Sequence, residues 1–169
     1  EVLRERCKGT TVVDAKGKVV LPGFIEPHNH MVGFATSLLE VDVRTPPNSS
    51  INDIKQRLRQ KAATTPKGEW VRVGFGHGYD DTRIVEMRHL NRKDLDEVST
   101  EHPMMISHAT GHMLAANSMA LELANVNAET PDPHGGRIGR FHGTAEPDGM
   151  LYEMPAQILV NRLVPPYDE

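Results

Sequence analysis

One cysteine, Cys7, stands in a chain of 169 residues, so no internal disulfide framework can form, and we assign the residue no role. That usage suits a reducing compartment, and we expect a cytoplasmic protein. Aromatic residues are scarce at 5%, and Lys plus Arg (19) fall short of Asp plus Glu (23), giving a formal net charge of −4. The cations are scattered and lack interleaved rings, which argues against a base-stacking or phosphate-tracking surface, so no nucleic-acid partner is expected. No apolar run approaches the roughly 20 residues of a membrane span, so no membrane partner is expected either. Repeats and low-complexity tracts are absent. The glycines of Gly74-Phe75-Gly76-His77-Gly78 have the wrong spacing for a dinucleotide fingerprint, and Tyr79-Asp80-Asp81 follows where a helix would have to open. What remains is an ordinary globular composition, 38% hydrophobic and 25% charged.

Histidine is well represented, with nine residues, and two of them close the most informative stretch of the chain. Val19, Val20 and Leu21 run into a Pro22-Gly23 turn, and Phe24 and Ile25 then start what reads as a buried strand ending at His28 and His30. Side chains two apart on a strand share a face, so both imidazoles can be aimed at one point. Neutral imidazole is the commonest protein ligand for zinc and similar ions. On spacing alone, a structural pair is an equally good account.

Elsewhere the pattern is that of alternating strands and helices. Residues 10 to 21 alternate around Asp14-Ala15-Lys16-Gly17-Lys18, which predicts a β-hairpin. Ser49 and Ser50 precede Ile51, Ile54, Leu58 and Ala62, the apolar face of a helix, with Lys55, Arg57, Arg59 and Lys61 on the solvated side. Trp70 to Phe75 reads as a strand, with Val71, Val73 and Phe75 on one side, followed by a tight loop where His77 and Asp80 either touch substrate or face solvent. Asn91 caps a short helix with Leu95 and Val98 inward. Pro103 to His108 is a buried strand that delivers His108 to its end. His108 and His112 have the spacing of two ligands on a helical turn, but Thr110 and Gly111 disfavour helix, and a second metal site there is the weaker reading. Met113 to Leu123 reads as a core helix. Residues 127 to 149 are rich in Pro and Gly and predict a loop and hairpin, with His134 and His142 exposed. A last helix carries Ile158, Leu159, Leu163 and Val164 and stops at Pro165-Pro166.

Pro22-Gly23, Glu26, His28 and His30 resemble the opening of the amidohydrolase superfamily. Trp70 to Gly76, His102 to Leu121 with Gly111-His112 and Asn117-Ser118, Gly135-Gly136-Arg137-Ile138 and Gly149-Met150-Leu151-Tyr152-Glu153 resemble one branch of it, the amidohydrolase family 3 or YtcJ-like metal-dependent hydrolases. Two positions depart from that branch. Glu26 stands where aspartate is more usual, and Met113-Leu114-Ala115-Ala116 replaces a segment that usually carries serine and an aromatic.

The resemblance implies an α/β fold, namely the N-terminal part of a TIM (β/α)8 barrel with part of a small β-domain and an inserted α+β subdomain. The expected boundaries are 1–22 for the partial β-domain, 23–45 for the first barrel strand with its His pair, and 46–169 for the inserted subdomain. It further implies a divalent metal, zinc by preference, held by His28 and His30, and a small-molecule substrate contacted by His112, Asn117 and Glu153. His112 and Asn117 can equally be a structural pair holding a loop, and Glu153 can equally cap the helix behind it. The implied reaction is hydrolysis of a C–N bond of amide type by metal-activated water, with an aspartate general base in later strands. A complete barrel needs about 250 residues. We therefore expect an N-terminal fragment, inactive alone because a catalytic zinc usually has three protein ligands. The alternative from another class is a non-catalytic binding or regulatory protein on the same scaffold. Nothing in the sequence fixes the oligomeric state.

Overall fold

Strands whose successive side chains are buried on opposite faces build the centre of the molecule, which the computed structural model describes for residue 9 and residues 11–166. Five strands, β1 (Val71–Val73), β2 (Met104–Ser107), β3 (Met113–Ala116), β4 (Arg137–Arg140) and β5 (Pro147–Tyr152), form one sheet in the order β1-β2-β3-β5-β4. β1 and β2 are parallel, with Val71 opposite Met104, and the other neighbours are antiparallel. The sheet is therefore mixed. Its parallel pair is joined by a long crossover that carries helix α3 (Arg92–Asp96).

Both faces of the sheet are covered. Val71, Val73, Met104, Ile106, Ala115 and Met150 point to one side, where Ile51, Ile54, Leu58 and Ala62 of α2 (Ile51–Ala62) and Leu95 of α3 pack on them. Met105, Leu114, Ala116, Ile138 and Leu151 point to the other, against Ala120 and Leu121 of α4 (Ser118–Leu123) and Ala156 and Val160 of α5 (Glu153–Asn161). Two-sided burial explains why these strands read as apolar runs rather than as apolar-polar alternation. Val41 and Val43 also enter the first of these cores. β5 crosses so close to its neighbours that a Cβ at Gly149 would stand 2.5 Å from the Ala116 carbonyl oxygen, and its φ of +100° favours glycine as well.

The predicted helix starts hold. Ser50 caps α2 by accepting from Asp53 N–H at 3.1 Å, and Asn91 forms a capping box with Asp94 at the start of α3. Asp94 is also gripped by both ends of the Arg88 guanidinium, at 2.7 and 2.9 Å. Burial pushes the Asp94 carboxyl up, but hydrogen bonds from Arg88 and the Asn91 backbone outweigh it and hold the group below its ordinary value of 3.8. Lys55, expected on the solvated side of α2, pairs with Glu97.

Several expectations need correcting. Residue 10, where the predicted hairpin begins, and Cys7 lie outside the described residues. Of the hairpin over 10–21 only the turn is present: Lys16 and Gly17 have φ of 49° and 76°, and Lys18 N–H donates to Ala15 O at 2.9 Å. No strand forms between residues 11 and 30, and Phe24 and Ile25 are exposed rather than buried. A strand needs a ladder partner, and the described residues supply none for this segment. Phe75 is 47% exposed in a 3-10 turn (Phe75–His77) instead of extending β1. Met113–Leu123 is not one helix but β3 followed by α4, divided by Asn117. On α5 the inward residues are Ala156, Gln157 and Val160, while Ile158 is 48% exposed.

Candidate functional site

His28 and His30 converge. Their Nε2 atoms are 2.9 Å apart and their ring centroids 4.8 Å apart, in exposed positions just ahead of α1 (Met31–Ser37). Glu26 braces the segment by accepting the His28 N–H at 3.0 Å, and the His30 carbonyl accepts Phe34 N–H at 2.8 Å as the helix begins. Two ring nitrogens at hydrogen-bond distance share one proton at most when neutral, so at least one lone pair is directed into the gap between them. That donor set fits a divalent ion as two of the ligands it needs.

A contact path leads from this pair to two further expected residues. The His30 ring sits edge-on to Phe75, with centroids 5.6 Å apart. Phe75 in turn lies under Gly111, where a Cβ would stand 2.9 Å from the ring. Next in sequence, His112 Nδ1 is 2.9 Å from Glu153 Oε2, and Glu153 N–H donates to His112 O at 2.8 Å. Sheet register makes this pairing: Met113 lies opposite Tyr152, so the residues just outside the ladder meet at one sheet end. Glu153 has a φ of +62°, a left-handed conformation uncommon for a non-glycine residue, and strain of this kind gathers at functional positions. Its carboxylate does not cap α5, because the cap residue is Tyr152 and no side chain bonds the helix start.

Asn117, for which a substrate contact and a structural role were both open, sits inside the fold. It is fully buried, its Oδ1 accepts from Met104 N–H at 2.9 Å and Ala120 N–H at 3.0 Å, and its amide donates to the His102 carbonyl at 2.9 Å. The side chain is fully used inside the fold. Asp80 is likewise occupied locally, where Thr82 N–H and hydroxyl hold its carboxyl below the ordinary range. His77 Nδ1 is buried and has no hydrogen-bond partner among the described residues.

One cluster was not legible in the sequence. Asp81, His89 and His108 present ligand atoms that all lie within 4.8 Å of one another. His108 does not join His112, contrary to the spacing. Its Nε2 is 2.9 Å from Asp81 Oδ1, and His89 Nδ1 is 3.3 Å from the same oxygen. The three come from the 3-10 turn Asp81–Arg83, the loop after it and the residue just past β2, so no spacing motif could have signalled them. The nearest signal was the concentration of histidines between residues 77 and 112. Tyr79 closes the cluster from below, its ring 5.2 Å from that of His108, and burial pushes its phenol pKa up.

The architecture is an α/β fold built on a mixed sheet. One solved structure of similar fold, a metal-dependent hydrolase from Pyrococcus horikoshii OT3 that is itself uncharacterized, matches with a TM-score of 0.51 and 24% identity over 92% of this chain and 26% of that one. The amidohydrolase family profile matches residues 11–169, and the chain belongs to that family. It is 37% identical over 148 residues to the N-substituted formamide deformylase of Arthrobacter pascens, covering 88% of this chain and 27% of the relative. It is 32% identical over 160 residues to YtcJ of Bacillus subtilis (strain 168), covering 95% of this chain and 29% of the relative. The chain thus spans less than a third of the length of these curated relatives.

Proposed function

We propose that the protein is a metal-dependent amidohydrolase that cleaves a C–N bond of amide type in a small molecule, and that this chain supplies the first part of a TIM barrel together with one wall of the active site. His28 and His30 hold the divalent ion, zinc by preference. When bound, such an ion polarises a carbonyl and lowers the pKa of water toward about 7. The chain's own contribution is positioning. Glu153 accepts the Nδ1–H of His112, which fixes the tautomer and leaves Nε2 as an acceptor for an amide N–H of the substrate. Phe75 packs between the imidazole pair and the Gly111 turn that carries His112, setting the separation of ion and substrate contact. Asn117 holds the strand-to-helix turn beneath this wall without touching substrate.

The observation that carries the reading is the convergence of the two Nε2 atoms, 2.9 Å apart, in a chain of this family. The N-substituted formamide in the name of the Arthrobacter relative contains a bond of the proposed type. The test is the intact protein with His28→Asn and His30→Asn together, assayed on a panel of N-substituted formamides and amides alongside its metal content. We expect the parent to hydrolyse at least one member of the panel, and the variant to lose more than about 100-fold in activity along with bound metal, beyond the 10- to 100-fold typical of outer-shell changes. A parent inert toward the whole panel, or a variant with unchanged metal and turnover, refutes the proposal.

A further inference from the structure

We propose that Asp81, His89 and His108 form a second binding site for a borderline first-row divalent cation, built entirely from the crossover between β1 and β2 and the end of β2. Four observations carry this. Two imidazoles and one carboxylate is the donor set of three-ligand zinc and iron sites, which leave positions open, whereas magnesium and calcium prefer all-oxygen surroundings. The potential ligand atoms are already gathered, with His108 Nε2 2.9 Å and His89 Nδ1 3.3 Å from Asp81 Oδ1. His89 Nδ1 is shielded from solvent yet makes no hydrogen bond among the described residues, although it faces a carboxylate. An unpartnered ring nitrogen in that position is unfavourable unless something arrives to bind it. Finally, the His89 and Asp81 side chains keep 29% and 20% of their exposure, so an ion has a way in, while His108 at 4% anchors the site to the core.

The surroundings of His108 suit both the loaded and the empty state. Its Nδ1 lies 2.9 Å from the Thr110 hydroxyl and also 3.2 Å from the Thr110 N–H. With Nδ1–H donating to the hydroxyl, the Nε2 lone pair is free for an ion, and the hydroxyl is the outer-shell acceptor that metal-bound histidines usually have. With Nδ1 accepting the Thr110 N–H instead, Nε2–H donates to Asp81 and the site rests as a hydrogen-bonded clamp. Thr110 is exposed, so its N–H finds water when the tautomer changes. An ion here would tie the turn at 81–83 and the loop at 89 to the end of β2.

The test is cobalt(II) and zinc(II) titration of the intact protein, stripped of metal, against His89→Gln and Asp81→Asn. His89→Gln removes no hydrogen bond, and Asp81→Asn keeps an acceptor for His108 Nε2–H, so both should fold, which circular dichroism checks. We expect each variant to bind one equivalent less of cobalt, with loss of the matching visible absorption band, and to lose part of the zinc-induced rise in melting temperature. The same difference should persist when His28→Asn and His30→Asn are also present. Folded variants with the parent's stoichiometry and affinity for both ions would overturn the proposal and leave the three residues as a hydrogen-bonded clamp.

Discussion

Truncating Asn117 separates a structural role from a substrate-binding one. Asn117→Ala would leave the N–H groups of Met104 and Ala120 without an acceptor and the His102 carbonyl without a donor, all in a fully buried position. Each orphaned buried donor costs about 1–3 kcal/mol, so the two together destabilise by about 2–6 kcal/mol before the carbonyl is counted. Loss of the cap on α4 is already contained in the Ala120 part of that figure. The loss is a large fraction of the 5–15 kcal/mol that typically holds a domain together. In a unit of 150–250 residues, about 3 kcal/mol corresponds to a fall in melting temperature of about 6–12 °C. The assay is thermal unfolding followed by circular dichroism, together with KM at a temperature where the variant is still folded. The structure requires a large fall in melting temperature with KM little changed. A variant that melts with the parent but shows a raised KM would return Asn117 to the substrate pocket and refute the reasoning.

The Arg88–Asp94 clamp makes a prediction about acid. Because the folded carboxyl is held below 3.8, its contribution is present above that pH and is lost as pH falls through the depressed value. Asp94→Asn should cost about 2 kcal/mol at neutral pH and progressively less in acid, a convergence that urea unfolding across this range would show and that parallel curves would contradict. Glu153→Gly relieves the left-handed strain, worth about 1–3 kcal/mol, at a backbone entropy cost of about 0.5–1 kcal/mol. It should leave stability equal or slightly higher while KM rises; lowered stability with unaltered kinetics would make Glu153 a structural residue only.

How much of this was readable in the residues depends on how local the cause is. α2 and α3 announce themselves through Ser50 and Asn91 and through one apolar face, because caps and periodicity act within a few residues. β2 was equally plain as an apolar run. β3 was not: Met113, Leu114, Ala115 and Ala116 are good helix formers, and only pairing with β2 on one side and β5 on the other makes them a strand. At the N-terminal segment the error ran the other way, since alternation over 10–21 suggested a ladder for which the described residues offer no partner. At the site, the resemblance pointed to His112 and Glu153 separately, but their 2.9 Å contact follows from register between strands far apart in sequence. The Asp81, His89 and His108 cluster has no local cause at all.

The two halves of the proposed active site are held by different forces, and this bears on how the site assembles. His112 and Glu153 are fixed by a strand register that is buried on both sides, so this wall is preorganised by the core. The histidine pair rests on much less: the brace from Glu26, the edge contact with Phe75, and the Glu40 carboxylate accepting Gly74 N–H at 2.6 Å after α1. Around it Val19, Val20, Phe24, Ile25 and Val32 are each at least 80% exposed, a concentration of apolar surface unusual for a folded unit. Burying one such side chain contributes about 1.5–3 kcal/mol, so covering this row would add stabilisation comparable to that of a whole domain. The proposed metal-binding segment is therefore the part whose order depends on further apolar contacts, and the proposed substrate wall is the part already set. On the proposed function, ion affinity at His28 and His30 would then report packing of the 19–32 segment, whereas recognition at His112 and Glu153 would report the sheet.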